Sequence, residues 1–233
     1  GSGAALLAGA PDAASLRGVG PGTTADPGAL RQLAALPETR CELAQIAESF
    51  GGAHDLLLHG AATEGRLKSL STEGTLARYS VVSFATHGLI AGEVGAHDAG
   101  LVLTPPAAAG PQDDGLLTTG EIAQLELDAD FVILSACNTA AGGAANTEGL
   151  SGLASAFFYA GARSLLVSHW PVYSDAAVAL TTRMLGELET EPNLRHAEAL
   201  RRALLAALDD PDAPLRQRHP AYWAPFMIVG EGT

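Results

Sequence analysis

Two stretches, Tyr79-Ser-Val-Val-Ser-Phe-Ala-Thr-His87-Gly88 and Asp130-Phe-Val-Ile-Leu-Ser-Ala-Cys137-Asn138-Thr139, decide the reading of this chain. Each is a short apolar run, rich in Val, Ile and Phe, that ends in a side chain able to do chemistry. Runs of this length and composition read as strands buried on both faces, the pattern of a parallel sheet. Open α/β sheets bind ligands at the carboxyl edge of their strands. A histidine and a cysteine 50 residues apart (137 − 87) are therefore offered at one edge. That is the arrangement nucleophilic catalysis by a thiolate requires.

Outward from these two strands, apolar runs alternate with helical patterns. Ala4 to Ala8 reads as the end of a strand and residues 16–29, rich in Gly, Pro and Thr, as a long loop. After Pro37-Glu38, the residues Leu43, Ile46, Ala47 and Phe50 fall at i, i+3, i+4 and i+7 on one helical face, and Gly51-Gly52 stops the helix. Leu56 to Leu58 is a short strand, Thr63 to Leu70 a helix and Gly100 to Thr104 a strand, with Gly-rich or polar loops expected over 91–100 and 107–117. Thr119 to Leu125 is a helix capped by Thr118 or Thr119, with Glu121 in its first turn. After the Cys137 strand come a helix with Leu150, Leu153, Phe157 and Phe158, a strand Ser164–His169, helices over Asp175–Leu188 and Arg195–Leu208, and a closing strand Trp223–Val229. Alternation of this kind predicts an α/β fold: a doubly wound, mostly parallel sheet flanked by helices.

Composition narrows the function classes. The 233 residues suffice for one large α/β domain or two small ones, and 47% are hydrophobic, enough for a sizeable core. A net charge of −13 argues against a nucleic-acid backbone or an anionic membrane as partner. The two cysteines, Cys41 and Cys137, form no CxxC, which excludes a multi-thiolate zinc site and fits a reducing compartment. No apolar run is long enough to span a bilayer, and no signal peptide is visible, so a cytoplasmic location is expected. Gly1-Ser2-Gly3 reads as a remnant of expression and the domain as residues 4–233, an excised piece lacking upstream sequence.

Neither reactive residue is diagnostic alone. Cysteine is among the most buried residue types and commonly packs as a small hydrophobe. His59-Gly60 also follows an apolar run, so a His-Gly pair carries little by itself. The His87 strand is longer, and a Gly-rich stretch follows it. Around Cys137 the sequence turns small and polar, and a helix start near Thr147-Glu148 would favour the thiolate. Glu148 reads equally as a residue positioning the loop after Cys137 and as a helix-start carboxylate. His97, His196 and His219 read as surface or capping groups whose spacing suggests no metal. The Gly142-Gly143 loop lacks the lysine and spacing of a phosphate-binding loop.

The chain resembles the CHAT domains, caspase-like cysteine peptidases related to caspases and separase and often attached to TPR arrays or other sensor modules. The matching stretches include Phe84-Ala-Thr-His-Gly88, Leu134-Ser-Ala-Cys-Asn-Thr139, Glu148-Gly-Leu-Ser-Gly-Leu-Ala154, Phe158-Tyr-Ala-Gly-Ala-Arg163 and Val167-Ser-His-Trp-Pro-Val172. Leu36-Pro-Glu-Thr-Arg40, Gly115-Leu-Leu-Thr-Thr-Gly-Glu-Ile122 and His219-Pro-Ala-Tyr-Trp-Ala-Pro-Phe226 fit as well, so the likeness runs over residues 5–230. The spacing of about 50 residues between histidine and cysteine is also that of caspases.

By that resemblance Cys137 is the nucleophile and His87 the acid and base. The backbone N–H groups of Gly88 and Cys137 would hold the oxyanion. Val167, Ser168, His169 and Trp170 would form the edge that pairs with the substrate backbone. Asp175 would line the pocket for a basic residue before the cut, against a bland reading as a carboxylate favoured at a helix start. The resemblance implies a cysteine endopeptidase with no cofactor, acting on a protein substrate. It would be the effector of a regulated system, prokaryotic defence being one setting, under an upstream TPR or ligand-sensing module. A non-catalytic interaction domain of the same fold and a nucleotide-binding module are the alternatives from other classes.

Overall fold

A computed structural model of the chain describes residues 3–9, 24–49, 53–96, 98–135, 147–168, 172–211 and 214–230. The strands are β1 (Gly3–Gly9), β2 (Ala53–Leu58), β3 (Val81–Thr86), β4 (Gly88–Leu89), β5 (Gly100–Val102), β6 (Leu116–Thr118), β7 (Phe131–Ser135), β8 (Ser164–Ser168) and β9 (Phe226–Gly230). The helices are α1 (Pro27–Leu30), α2 (Glu38–Ser49), α3 (Glu64–Thr72), α4 (Thr119–Ile122), α5 (Thr147–Tyr159), α6 (Ser174–Thr190), α7 (His196–Asp209) and α8 (Pro220–Trp223).

Six strands form one sheet in the order β2-β1-β3-β7-β8-β9. The first five run parallel, and β9 closes the sheet antiparallel to β8, pairing Ser168 with Phe226. This is the expected α/β fold with a mostly parallel sheet. Every residue of β3 is buried, as two-sided burial demands. Its alternation sends Val82 and Phe84 into a core with Val132, Leu134, α3 and α5, and Val81 and Ala85 into a second core with Phe131, Ile133, α2, α6 and α7. The Phe84 and Phe157 rings, 5.5 Å apart and tilted, fix α5 against β3. Gly161 ends α5 at φ +106°, where a side chain would run into the Leu127 carbonyl, which explains the glycine in the Phe158–Arg163 stretch.

Four expectations are corrected. Pro27–Leu30, placed largely in the opening loop, is a helical turn capped by Asp26, whose carboxylate accepts from Gly28 N at 2.8 Å. The stretch expected as a loop over 107–117 ends in β6, which with β4, just before the loop over 91–100, pairs with β5 in a small antiparallel sheet. Their segments, two or three residues each, are too short to show a period. The closing strand starts at Phe226, because Pro220 at the first helical position turns 220–223 into α8. The His219 ring caps that turn as expected, its Nδ1 accepting from Ala221 N at 3.2 Å. Finally, His196 is neither a surface nor a capping group. It sits half-buried at the start of α7, stacked on Phe131 with its Nδ1 2.7 Å from Ser164 Oγ.

Candidate active site

The parallel register between β3 and β7 builds the site. Val81 pairs with Phe131 and the ladder runs to Ala85 opposite Ser135. In sequence, His87 follows Ala85 by two residues and Cys137 follows Ser135 by two. Cys137 itself, with the rest of 136–146, lies outside the described residues, so its thiol has no geometry here.

His87 is fixed on both sides. Behind it, the buried Thr86 hydroxyl donates to the Val102 carbonyl of β5. Its own carbonyl accepts from Val102 N at 2.9 Å. The chain then enters β4, where Gly88, half-buried, pairs with Leu101. The ring is half-buried, and its Nε2 lies 2.7 Å from the Ala34 carbonyl oxygen. A carbonyl can only accept, so Nε2 carries the proton, and in the neutral ring Nδ1 keeps the lone pair. That leaves Nδ1 as the basic atom.

Ala34 is held by the segment before α2. Leu30 is buried against Leu89, Val102 and Leu116 of the small sheet. Ala25 N donates to Asp114 Oδ2 at 2.6 Å, and the Arg31 guanidinium donates to the Pro106 carbonyl. The loop that receives these bonds is itself anchored, because the buried Glu64 carboxylate accepts from Asp114 N (2.8 Å), Gly115 N (3.0 Å) and Lys68. Lys68 also binds Glu121 at 2.8 Å, which is held below the usual carboxylate range by that cation and by Thr118 against the effect of burial.

β8, parallel to β7, ends at the same edge. Ser168, the last residue of β8, is buried and paired with Phe226, so the side of β8 toward β9 is occupied that far. His169 and Trp170 lie outside the described residues. Asp175 lies in the first turn of α6, which opens at Ser174; it is exposed, with Oδ1 3.1 Å from Ala176 N. Because β9 runs antiparallel, α8 also lies at this edge, and Tyr222 stacks on the exposed Tyr173 with centroids 4.4 Å apart. His196 is at the opposite edge, beside the first residues of β7 and β8, and burial holds its pKa below the usual range. It takes no part in this site. Among the described residues no group of three His, Cys, Asp or Glu side chains could hold a metal ion, and no helix is long and apolar enough to cross a membrane.

A family model described as the CHAT domain matches residues 3–231. The chain belongs to the CHAT domain family. No curated protein sequence matches it. Among solved structures, this CHAT domain is similar to "Crystal structure of the Arg specific cysteine proteinase gingipain R (RGPB)", with a TM-score of 0.54, 13% identity, and coverage of 99% of this chain and 46% of that one. It is similar too to the complex of Porphyromonas gingivalis RgpB pro- and mature domains, with a TM-score of 0.54, 11% identity, and coverage of 99% and 47%. At such identities the likeness establishes the fold, and the CHAT chain spans about half the length of those proteins.

Sequence reasoning found no third residue beside the histidine and cysteine. In the CHAT domain the partner of His87 is a main-chain carbonyl, that of Ala34, and a main-chain group leaves no residue-type signature. The Tyr173–Tyr222 stack was likewise missed, since its members lie 49 positions apart (222 − 173).

Proposed function

We propose that this CHAT domain is a cysteine endopeptidase working through His87 and Cys137. The observation that carries the reading is the β3–β7 register, which sends the chains toward both residues from neighbouring, paired strand ends. In the reaction, the Cys137 thiolate attacks the scissile carbonyl carbon, and the N–H groups of Gly88 and Cys137 receive the oxyanion. His87 Nδ1, which takes the proton of the Cys137 thiol as the thiolate forms, delivers that proton to the departing amine, leaving a thioester. The same nitrogen then takes a proton from water, whose oxygen attacks the thioester carbonyl and restores the thiol.

The finer parts of the reading extend this. Asp175, exposed at the start of α6, would receive an Arg or Lys before the cut, with Ser168, His169 and Trp170 along the substrate backbone. The domain would serve as the cytoplasmic effector of a regulated, defence-type system, with an upstream sensor or repeat module as partner. A thiol-reactive peptide ketone tests the central claim. It should label wild-type protein at Cys137, and Cys137→Ala should abolish both labelling and peptide cleavage with the fold intact. A folded protein that neither labels nor cleaves would leave a caspase-like interaction domain in its place.

A further inference from the structure

Two carboxyl side chains are fully buried among the described residues, Glu64 and Glu42. They are built in opposite ways. Glu64 has a cation and two backbone N–H donors. Glu42, on the inward face of α2 beside Leu43, Ile46 and Ala47, is 2% exposed and has the hydroxyl of Ser135 as its hydrogen-bond partner. Its Oε1 has no partner among the described residues. A buried carboxyl without a cation is costly, and a leucine would suit the same helical position better. Natural chains break such local rules mainly at functional sites.

Its partner gives the break a meaning. Ser135 is the last described residue of β7, two positions before Cys137. The same segment, eight residues earlier (42 − 34), supplies the carbonyl that holds His87. One continuous stretch, 34–42, therefore bonds to the β3 exit through Ala34 and to the β7 exit through Glu42.

We infer that Glu42 is a positioning residue which, through Ser135, fixes the end of β7 that carries the chain to Cys137. For its catalytic consequence the inference rests on Cys137 being the nucleophile. Burial pushes the Glu42 carboxyl up to about 7 against the lowering effect of Ser135, so near neutrality about half of it is the uncharged acid. Such an acid keeps an acceptor for Ser135 and has one O–H to donate. Glutamine reproduces both functions; leucine fills the volume and reproduces neither.

The test uses a Cys41→Ser parent, in which Cys137 is the remaining thiol. For the parent, Glu42→Gln, Glu42→Leu and Ser135→Ala, two quantities are measured: the iodoacetamide alkylation rate of Cys137, and kcat and KM for peptide cleavage. Glu42→Leu should lower kcat about tenfold or more with KM nearly unchanged and shift the alkylation rate by a similar factor, as misplacement of a reacting group does. Glu42→Gln should restore most of both. A folded Glu42→Leu with parental alkylation rate and kcat overturns the inference, as does a Glu42→Gln as impaired as the leucine variant. If Glu42→Leu does not fold, Ser135→Ala breaks the same link, and parental values there overturn it. A parent that alkylates but cleaves no peptide removes the peptidase reading, while the alkylation series still decides the role of Glu42.

Discussion

Ala85 on β3 and Ser135 on β7 are paired residues of adjacent parallel strands. Strands so paired lie about 4.8 Å apart. In sequence, His87 follows Ala85 by two positions and Cys137 follows Ser135 by two, so the proposed pairing of imidazole and thiol would need no long-range coincidence. The small β4-β5-β6 sheet and the Ala34 segment orient the His87 ring.

The first prediction concerns the unit. If the imidazole and thiol act together, His87→Ala, Cys137→Ala and the double variant should lose cleavage to nearly the same residual rate. Multiplicative losses in the double variant would mean independent contributions. Cys41, exposed on α2, should be replaceable by Ser with little effect on turnover.

The second prediction follows from the Ala34 carbonyl. In the neutral state the His87 ring should be the tautomer protonated on Nε2, visible in the nitrogen chemical shifts of a selectively labelled sample. A resting ring protonated on Nδ1 would contradict the hydrogen bond and the assignment of the basic atom.

How much of this was legible depends on what kind of group did the work. The Val-, Ile- and Phe-rich runs ending at Thr86 and Ser135 announce themselves, because two-sided burial forces an apolar composition. So does the Thr118–Glu121 capping box, whose side chains make the bonds their types predict. The stretch 107–117 hid the start of β6 because that strand is held by tertiary contacts, such as Glu64 with Asp114 N and Gly115 N, rather than by local pattern. Glu42 was invisible for another reason: an acidic residue on a helix reads as solvated until the packing of α2 on the sheet is known.

The third prediction is a pH effect with a definite sign. The Glu42 carboxyl is raised by burial to about 7 from a reference of 4.5. Below pH 4.5 it is protonated in both folded and unfolded chains and contributes no pH dependence. Between 4.5 and about 7 the unfolded chain ionises first, so stability falls as pH rises; above about 7 the loss levels off. At 1.36 kcal/mol per pKa unit the full loss is on the order of 3 kcal/mol. Glu42→Gln lacks this term. The stability of Glu42→Gln relative to the parent, from urea unfolding, should therefore rise by that order between pH 4.5 and 8. A difference that is flat with pH would mean the carboxyl is ionised in the fold.

The last prediction separates the two roles open to Asp175. As a carboxylate in the first turn of α6 it stabilises the helix by about 0.3–1 kcal/mol, and its loss would leave substrate preference alone. As the floor of a specificity pocket it would instead pair with an Arg or Lys of the substrate. Arginine would gain more where two parallel hydrogen bonds can form. Removing one partner of such a desolvated pair costs roughly 2–5 kcal/mol. That corresponds to about 30-fold to several thousand-fold in kcat/KM. Asp175→Asn is the informative variant, because it keeps the shape and removes the charge. Peptides with Arg, Lys, Asp or Leu before the scissile bond, compared on wild type and Asp175→Asn, should show an Arg preference that collapses in the variant while the melting temperature hardly moves. An Arg preference that survives Asp175→Asn, or a preference for Asp or Leu in the wild type, would leave Asp175 as a helix-start carboxylate and put the pocket elsewhere along the edge.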